Sequence, residues 1–265
     1  MLLRRVIEHV REQNWFAVGI DFMIVVVGVF IGIQVANWNE ERLQAREGAQ
    51  YAARLQTDLG AELENWQNLV AYIRVVRDNA DRAVAILEGQ TEASDEALLI
   101  HAYRATQYMY YQRRRATFDE LTSTGSLGLI VDPALRDTAV LYFRFDAIDK
   151  AFDEGAGSVF RHLFRSVLPM GVQDALGQGC GDRIEYQGGL GQARIDLGYA
   201  CETGLSAAQI AAAAQVLRTH PELLPALRLR AMNLRTSIGD LTDYAVDLDI
   251  ALRAAAGAPG SGRDG

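Results

Sequence analysis

Residues 15–38 read WFAVGIDFMIVVVGVFIGIQVANW, and the fold turns on whether this stretch lies in lipid or in a protein core. At about 1.5 Å of rise per helical residue it is long enough to cross a hydrocarbon layer of roughly 30 Å. Thirteen of its residues are Phe, Val or Ile. Each favours insertion by about 0.3 to 0.6 kcal/mol, and together they outweigh roughly 3 kcal/mol for the one aspartate, Asp21. Gln34 is the second polar interruption. Asp21 lies toward the N-terminal end, where head groups and water lower its cost, and Trp15 and Trp38 bracket the span as interfacial aromatics do. A transmembrane helix over 15–38 is the expectation. A cleaved signal peptide is the alternative, but Gln34 two positions before Ala36 fits its small-residue cleavage pattern poorly.

Upstream, MLLRRVIEHVREQN (1–14) places Leu3, Val6, Ile7 and Val10 at helical intervals between arginines. It reads equally as an amphipathic helix on an anionic inner leaflet or as a plain basic flank. Arg4, Arg5 and Arg11 on one side, against Arg42 and Arg46 on the other, give a slight bias toward a cytoplasmic N-terminus. Within the span, Gly28, Gly32 and Ala36 recur every four residues and line one helix face with small side chains. That spacing lets a second helix approach and makes them candidate contacts for a homodimer.

The chain has 265 residues, 49% of them hydrophobic, and a formal charge of -8. It is long enough for an anchor plus a domain with a substantial core. An acidic chain repels the nucleic acid backbone, so nucleic acid is not an expected partner. Lys150 is the only lysine, which reads as the composition of a GC-rich bacterial genome.

Cys180 and Cys201 lie in one glycine-rich stretch, CGDRIEYQGGLGQARIDLGYAC. A metal pair lacks the further ligands such sites use, and a redox pair lacks the C-x-x-C spacing. The plainer reading is a disulfide, worth about 3 kcal/mol for this loop length and requiring an oxidising compartment. It therefore agrees with the charge bias in placing the C-terminal part outside the cytoplasm.

The run DFMIVVVGVFIGIQVANWNEER (21–42), followed by TFDELTSTGSLGLI (117–130) and LRD (135–137), resembles a bacterial domain-of-unknown-function family with one N-terminal span ending in Asn-Trp-Asn-Glu. Asn37, Trp38, Asn39 and Glu40 match that ending, whereas members carry Asn where Ala36 stands here. The resemblance is specific over 20–42 and looser over 117–137. It implies a single-span membrane protein and supplies no catalytic residues.

Beyond the span, nothing from Asn39 to Glu88 breaks a helix. Ala52, Leu59, Trp66, Ile73, Ala80 and Leu87 recur every seven residues, with Leu55, Leu69, Val76 and Ala83 three positions after four of them. Leu63, Val70 and Val84 widen this stripe into one suited to a bundle. A second helix should start at the Ser94 cap and run through Tyr111. A Thr117–Glu120 capping box should open a short helix ending before Gly125. Asp132 and Pro133 should launch another, to about Phe152 or, past Gly155 and Gly157, to Val167. Residues 169–204 read as an irregular bridged excursion with a short hairpin around IEYQGGLGQARIDL. Ser206 caps the next helix, residues 222–256 form a last long one, and 257–265 form a disordered tail. The fold class expected is all-α: an N-terminal transmembrane helix, then an antiparallel helical bundle over 39–256 carrying that excursion.

Candidates for chemistry are sparse, and no cofactor is expected. His9, His101, His162 and His220 show no paired spacing. Ser123 and Ser126 flank a glycine without the elbow a nucleophile needs, and the GQG and GGLG fragments lack a phosphate loop's strand-then-helix context. Asp240, Asp243, Asp247 and Asp249 read as one solvated face of the last helix. The segment YMYYQRRR combines Tyr108, Tyr110 and Tyr111 with Arg113, Arg114 and Arg115 as a candidate patch for an anion or a partner. Cations near a helix C-terminus have a plain structural role as well. With an anchor and a bundle but no catalytic set, the expectation is a single-pass bacterial inner-membrane protein with a periplasmic interaction or scaffold domain. Its partners would be the lipid bilayer and another envelope protein or itself. A ligand-binding sensory module signalling through a partner is the alternative, and an enzyme is not expected.

Overall fold

The computed structural model describes residues 15–110, 112–186 and 193–257. Helix α1 spans Trp15–Leu87, 73 residues without a break, or about 110 Å at the rise of an α-helix. Its first part stands clear of the molecule: from Phe16 to Glu47, every side chain described is exposed. Gly48 is where the domain begins, because a Cβ there would collide with the backbone carbonyl of Leu129. From Leu55 to Ile86 the apolar stripe is buried as its spacing predicted, with Leu55, Leu59 and Ala80 wholly enclosed.

The other helices pack around that stripe. They are α2 (Asp95–Ala105), α3 (Ala116–Ser123), α4 (Pro133–Arg144), α5 (Ala147–Ala156), α6 (Val159–Val167), α7 (Met170–Cys180), α8 (Ala207–Thr219), α9 (Leu223–Thr242) and α10 (Val246–Ala255). Strands β1 (Arg183–Tyr186) and β2 (Ala193–Asp196) form an antiparallel hairpin with Ile184 opposite Ile195. α9 and α10 descend antiparallel to α1: Arg228 pairs with Glu88, Arg235 with Asp81, and Trp66 Nε1 reaches Leu241 O. α2 returns beside α1, and α8 covers α2, tied by Arg218 to Asp95. The molecule is an all-α antiparallel bundle with a disulfide-bridged excursion.

Several boundaries differ from expectation. α2 stops at Ala105, not Tyr111. Arg230 donates to Ala105 O and Gln107 O, and Arg161 to Thr106 O, so the carbonyls at and just past the helix end are bonded without a further turn. The Thr117–Glu120 capping box does not form: α3 starts at Ala116 without a side-chain cap and buries Thr117, while Glu120 accepts from Tyr51 and Arg54. The helix launched by Asp132 and Pro133 ends at Arg144, before the expected weak break at Gly155 and Gly157, and two further helices follow it. Residues 222–256 likewise divide at 243–245.

The excursion over 169–204 is more regular than its glycines suggested. Met170–Cys180 is a helix in which Gly179 allows the chain around Glu202 to come close: a Cβ there would lie 2.5 Å from Glu202 O. The hairpin expected around IEYQGGLGQARIDL is present in β1 and β2, its tip lying outside the described residues. Residues 1–14 and 258–265 also lie outside them, and with them the amphipathic-flank expectation and nearly all of the tail.

Candidate functional site

The segment between α2 and α3 draws together most of the candidate residues, and it shows how the fold uses them. Its described residues, 106–110 and 112–115, lie outside helix and strand, with Met109 buried. Tyr108 stacks edge-on with Phe152 and lies under the Arg161 guanidinium, 4.6 Å from its ring centre. Tyr110 is exposed and also meets Phe152; Tyr111 lies outside the described residues. Arg113 turns inward, donating to Tyr142 O (2.7 Å) and Phe145 O (3.2 Å) and pairing with Asp149 (3.4 Å). Arg114 gives its backbone N–H to Glu62 at 2.6 Å. Arg115 lies outside on Asp119 at 2.9 Å. Among the described residues the run is therefore divided: Arg113 is structural and Arg115 is paired close by in sequence.

Glu62 is the centre of this arrangement. It projects from α1 with no solvent exposure, accepting from Arg114 N and, at 2.5 Å, from the Tyr142 hydroxyl, with Arg113 Nε 4.0 Å away. The repeat itself marked this position: Glu62 falls three residues after Leu59, in the row that Leu55, Leu69, Val76 and Ala83 fill, so the stripe places an acid on the face turned to the core. A second buried charge, Arg230, binds Glu154, which also accepts from Asn233 at 3.1 Å.

At the far side of α2, Cys180 and Cys201 are bonded, with Cα atoms 5.4 Å apart. Arg104, itself buried, donates to Cys180 O (3.2 Å) and Tyr199 O (2.9 Å) and reaches Cys201 Sγ at 3.4 Å. Glu96 fastens the same loop by accepting from the N–H and hydroxyl of Thr203 (2.9 and 2.5 Å). Those bonds hold its carboxyl below the ordinary glutamate range. Nearby, Tyr72 donates to Asp182 at 2.8 Å; burial first, and then the Asp182 charge, push the phenol well above its usual range.

The remaining candidates do not converge. His101 meets Asn79 at 2.8 Å, and burial, with Arg82 and Arg104 nearby, lowers its pKa. His162 is exposed, His220 accepts from Glu222 N, and His9 lies outside the described residues. Ser123 donates to Glu120 O, and Gly125 adopts φ +71° where α3 ends, the conformation glycine supplies at helix ends. Asp240, Asp243, Asp247 and Asp249 are split between α9, its end and α10, and Asp249 pairs with Arg253 at 2.7 Å. Among the described residues, no three His, Cys, Asp or Glu side chains are placed to hold a metal ion.

Two open surfaces stand out among the described residues. One is the apolar part of α1, whose most apolar 18-residue window has none of its residues buried. Gly28 and Gly32 have nothing within 4 Å of where a Cβ would stand, and Ala36 is exposed on the same free helix. The other is a groove of about 290 Å³ between α1, α9 and α10. Compared with models of protein families, with curated proteins and with solved structures, the chain has no match.

Proposed function

We propose that this chain is a single-span bacterial membrane protein whose helical domain acts outside the cytoplasm as an interaction or scaffold module, binding another envelope protein or a second copy of itself. The observation that carries the reading is the exposure of α1 from Phe16 to Trp38. So long a run of bare Phe, Val and Ile is unfavourable in water and favourable in lipid, and the bundle has its own core without it. The Cys180–Cys201 bond supports an oxidising compartment for the domain. A sensory module signalling through a partner is the second reading, favoured by the groove between α1, α9 and α10.

Fractionation of cells making the untagged full-length chain tests the anchor. The protein should stay in the membrane pellet through an alkaline wash, leave it in detergent, and lose its domain to protease added to spheroplasts. A full-length product in the soluble pool, or a domain protected in spheroplasts, would overturn the corresponding half. Cysteines at positions 28, 32 and 36 should crosslink between copies; their failure to do so removes self-association through this face.

A further inference from the structure

The groove between α1, α9 and α10 has an apolar floor of Trp66, Val70 and Leu241, all buried. Two arginines stand on its rim. Arg253 is committed: its Nε donates to Asp249 at 2.7 Å, and both its Nη atoms lie 3.2 Å from the amide oxygen of Gln67 in the orientation their hydrogen bonding requires. Arg74 is not committed. It makes no hydrogen bond, ion pair or ring contact among the described residues, in a chain with 34 acids against 26 bases.

We propose that this groove binds a small monocarboxylate with an apolar body, the carboxylate pairing with Arg74 and the body lying over Trp66 and Val70. Trp66, Val70 and Arg74 follow one another at four-residue steps, so they stand in line along one helix face over about 12 Å. A guanidinium matches a carboxylate with two parallel donors, and an aromatic or alkyl body would cover the little that Trp66, Val70 and Leu241 leave open. Asp249 and Arg253 neutralise each other on α10, which leaves Arg74 as the one uncommitted charge among the described lining residues and matches it to a single carboxylate. The volume of about 290 Å³ falls just under the roughly 300 to 1,000 Å³ of ligand sites, so it suits only a small free molecule. Trp66 stands about 42 Å along the helix from Trp38, too far for a bilayer lipid to reach; that exclusion rests on the membrane placement proposed above.

The probe is 3-phenylpropionate, titrated onto the full-length protein in lipid nanodiscs and followed by saturation-transfer NMR, with empty nanodiscs as the blank. Saturable binding in roughly the millimolar range or tighter is expected for so small a ligand. The neutral 3-phenylpropanamide and the Arg74→Gln variant should each bind about 10-fold more weakly or worse, with Arg74→Lys between. Arg74 is exposed, so these variants should fold as the parent does. Absence of saturable transfer, equal binding of acid and amide, or unchanged binding by Arg74→Gln would each overturn the proposal. Fractionation reads the anchor separately, so neither failure can be mistaken for the other.

Discussion

Glu62 is the one acid in the buried row of α1 that runs through Leu55, Leu69, Val76 and Ala83. One carboxylate group serves a backbone N–H from the coil, a tyrosine hydroxyl from α4, and the neighbourhood of a largely buried guanidinium. Removing one member of a buried polar set costs far more than the set contributes, because the partners remain without water or replacement. Glu62→Ala should therefore lower the unfolding free energy by roughly 3 to 5 kcal/mol, measured by urea denaturation. Glu62→Gln keeps acceptor capacity and should lose clearly less. Equal, small losses in both variants would mean that the coil is held by other contacts.

At the scale of elements, the same kind of long-range donor decides where helices stop. Arg113 takes the carbonyls of Tyr142 and Phe145 at the end of α4; Trp66 takes that of Leu241 where α9 gives way to α10; Arg161 and Arg230 take those at and just past the end of α2. A helix end leaves its last carbonyls without intrahelical donors, and here a side chain up to 175 residues away supplies one. Such ends have no glycine or proline at the stop itself, which is why the bounds of α2, α4 and α9 were not legible in the sequence. The ends set by local chemistry were: Ser94, Asp132 and Ser206 cap their helices as their residue types predict. The disulfide was legible too, whereas α7 was hidden by its glycines, of which Gly179 serves a close approach, and the YMYYQRRR run is divided because Arg113 turns onto Tyr142 and Phe145 while Arg115 lies outside on Asp119. Cys180→Ser with Cys201→Ser should cost about 3 kcal/mol, read by denaturation with and without reductant. Native thiol labelling of the parent should find neither sulfur reactive. Loss of less than about 1 kcal/mol would show that Arg104 and Glu96 alone hold this loop to α2.

For the whole molecule, the important division falls at Gly48, the first point at which α1 is covered by the rest of the chain. Nothing described before it contributes to the core, so residues 39–257 made alone in an oxidising compartment should be soluble and unfold cooperatively, with a midpoint close to that of the full-length protein in detergent. Circular dichroism and size-exclusion chromatography check this. An aggregated or molten product would show that the apolar part of α1 is needed for folding as well as for placement. The continuity of α1 has a geometric consequence of its own. Because the rod leaving the apolar end is the same one that the bundle grips, with no hinge between, azimuth and height are geared together. One residue added between Asn39 and Glu47 would swing the globule about 100° around the rod and raise it about 1.5 Å, while seven would bring it nearly back to its original heading roughly 10 Å higher.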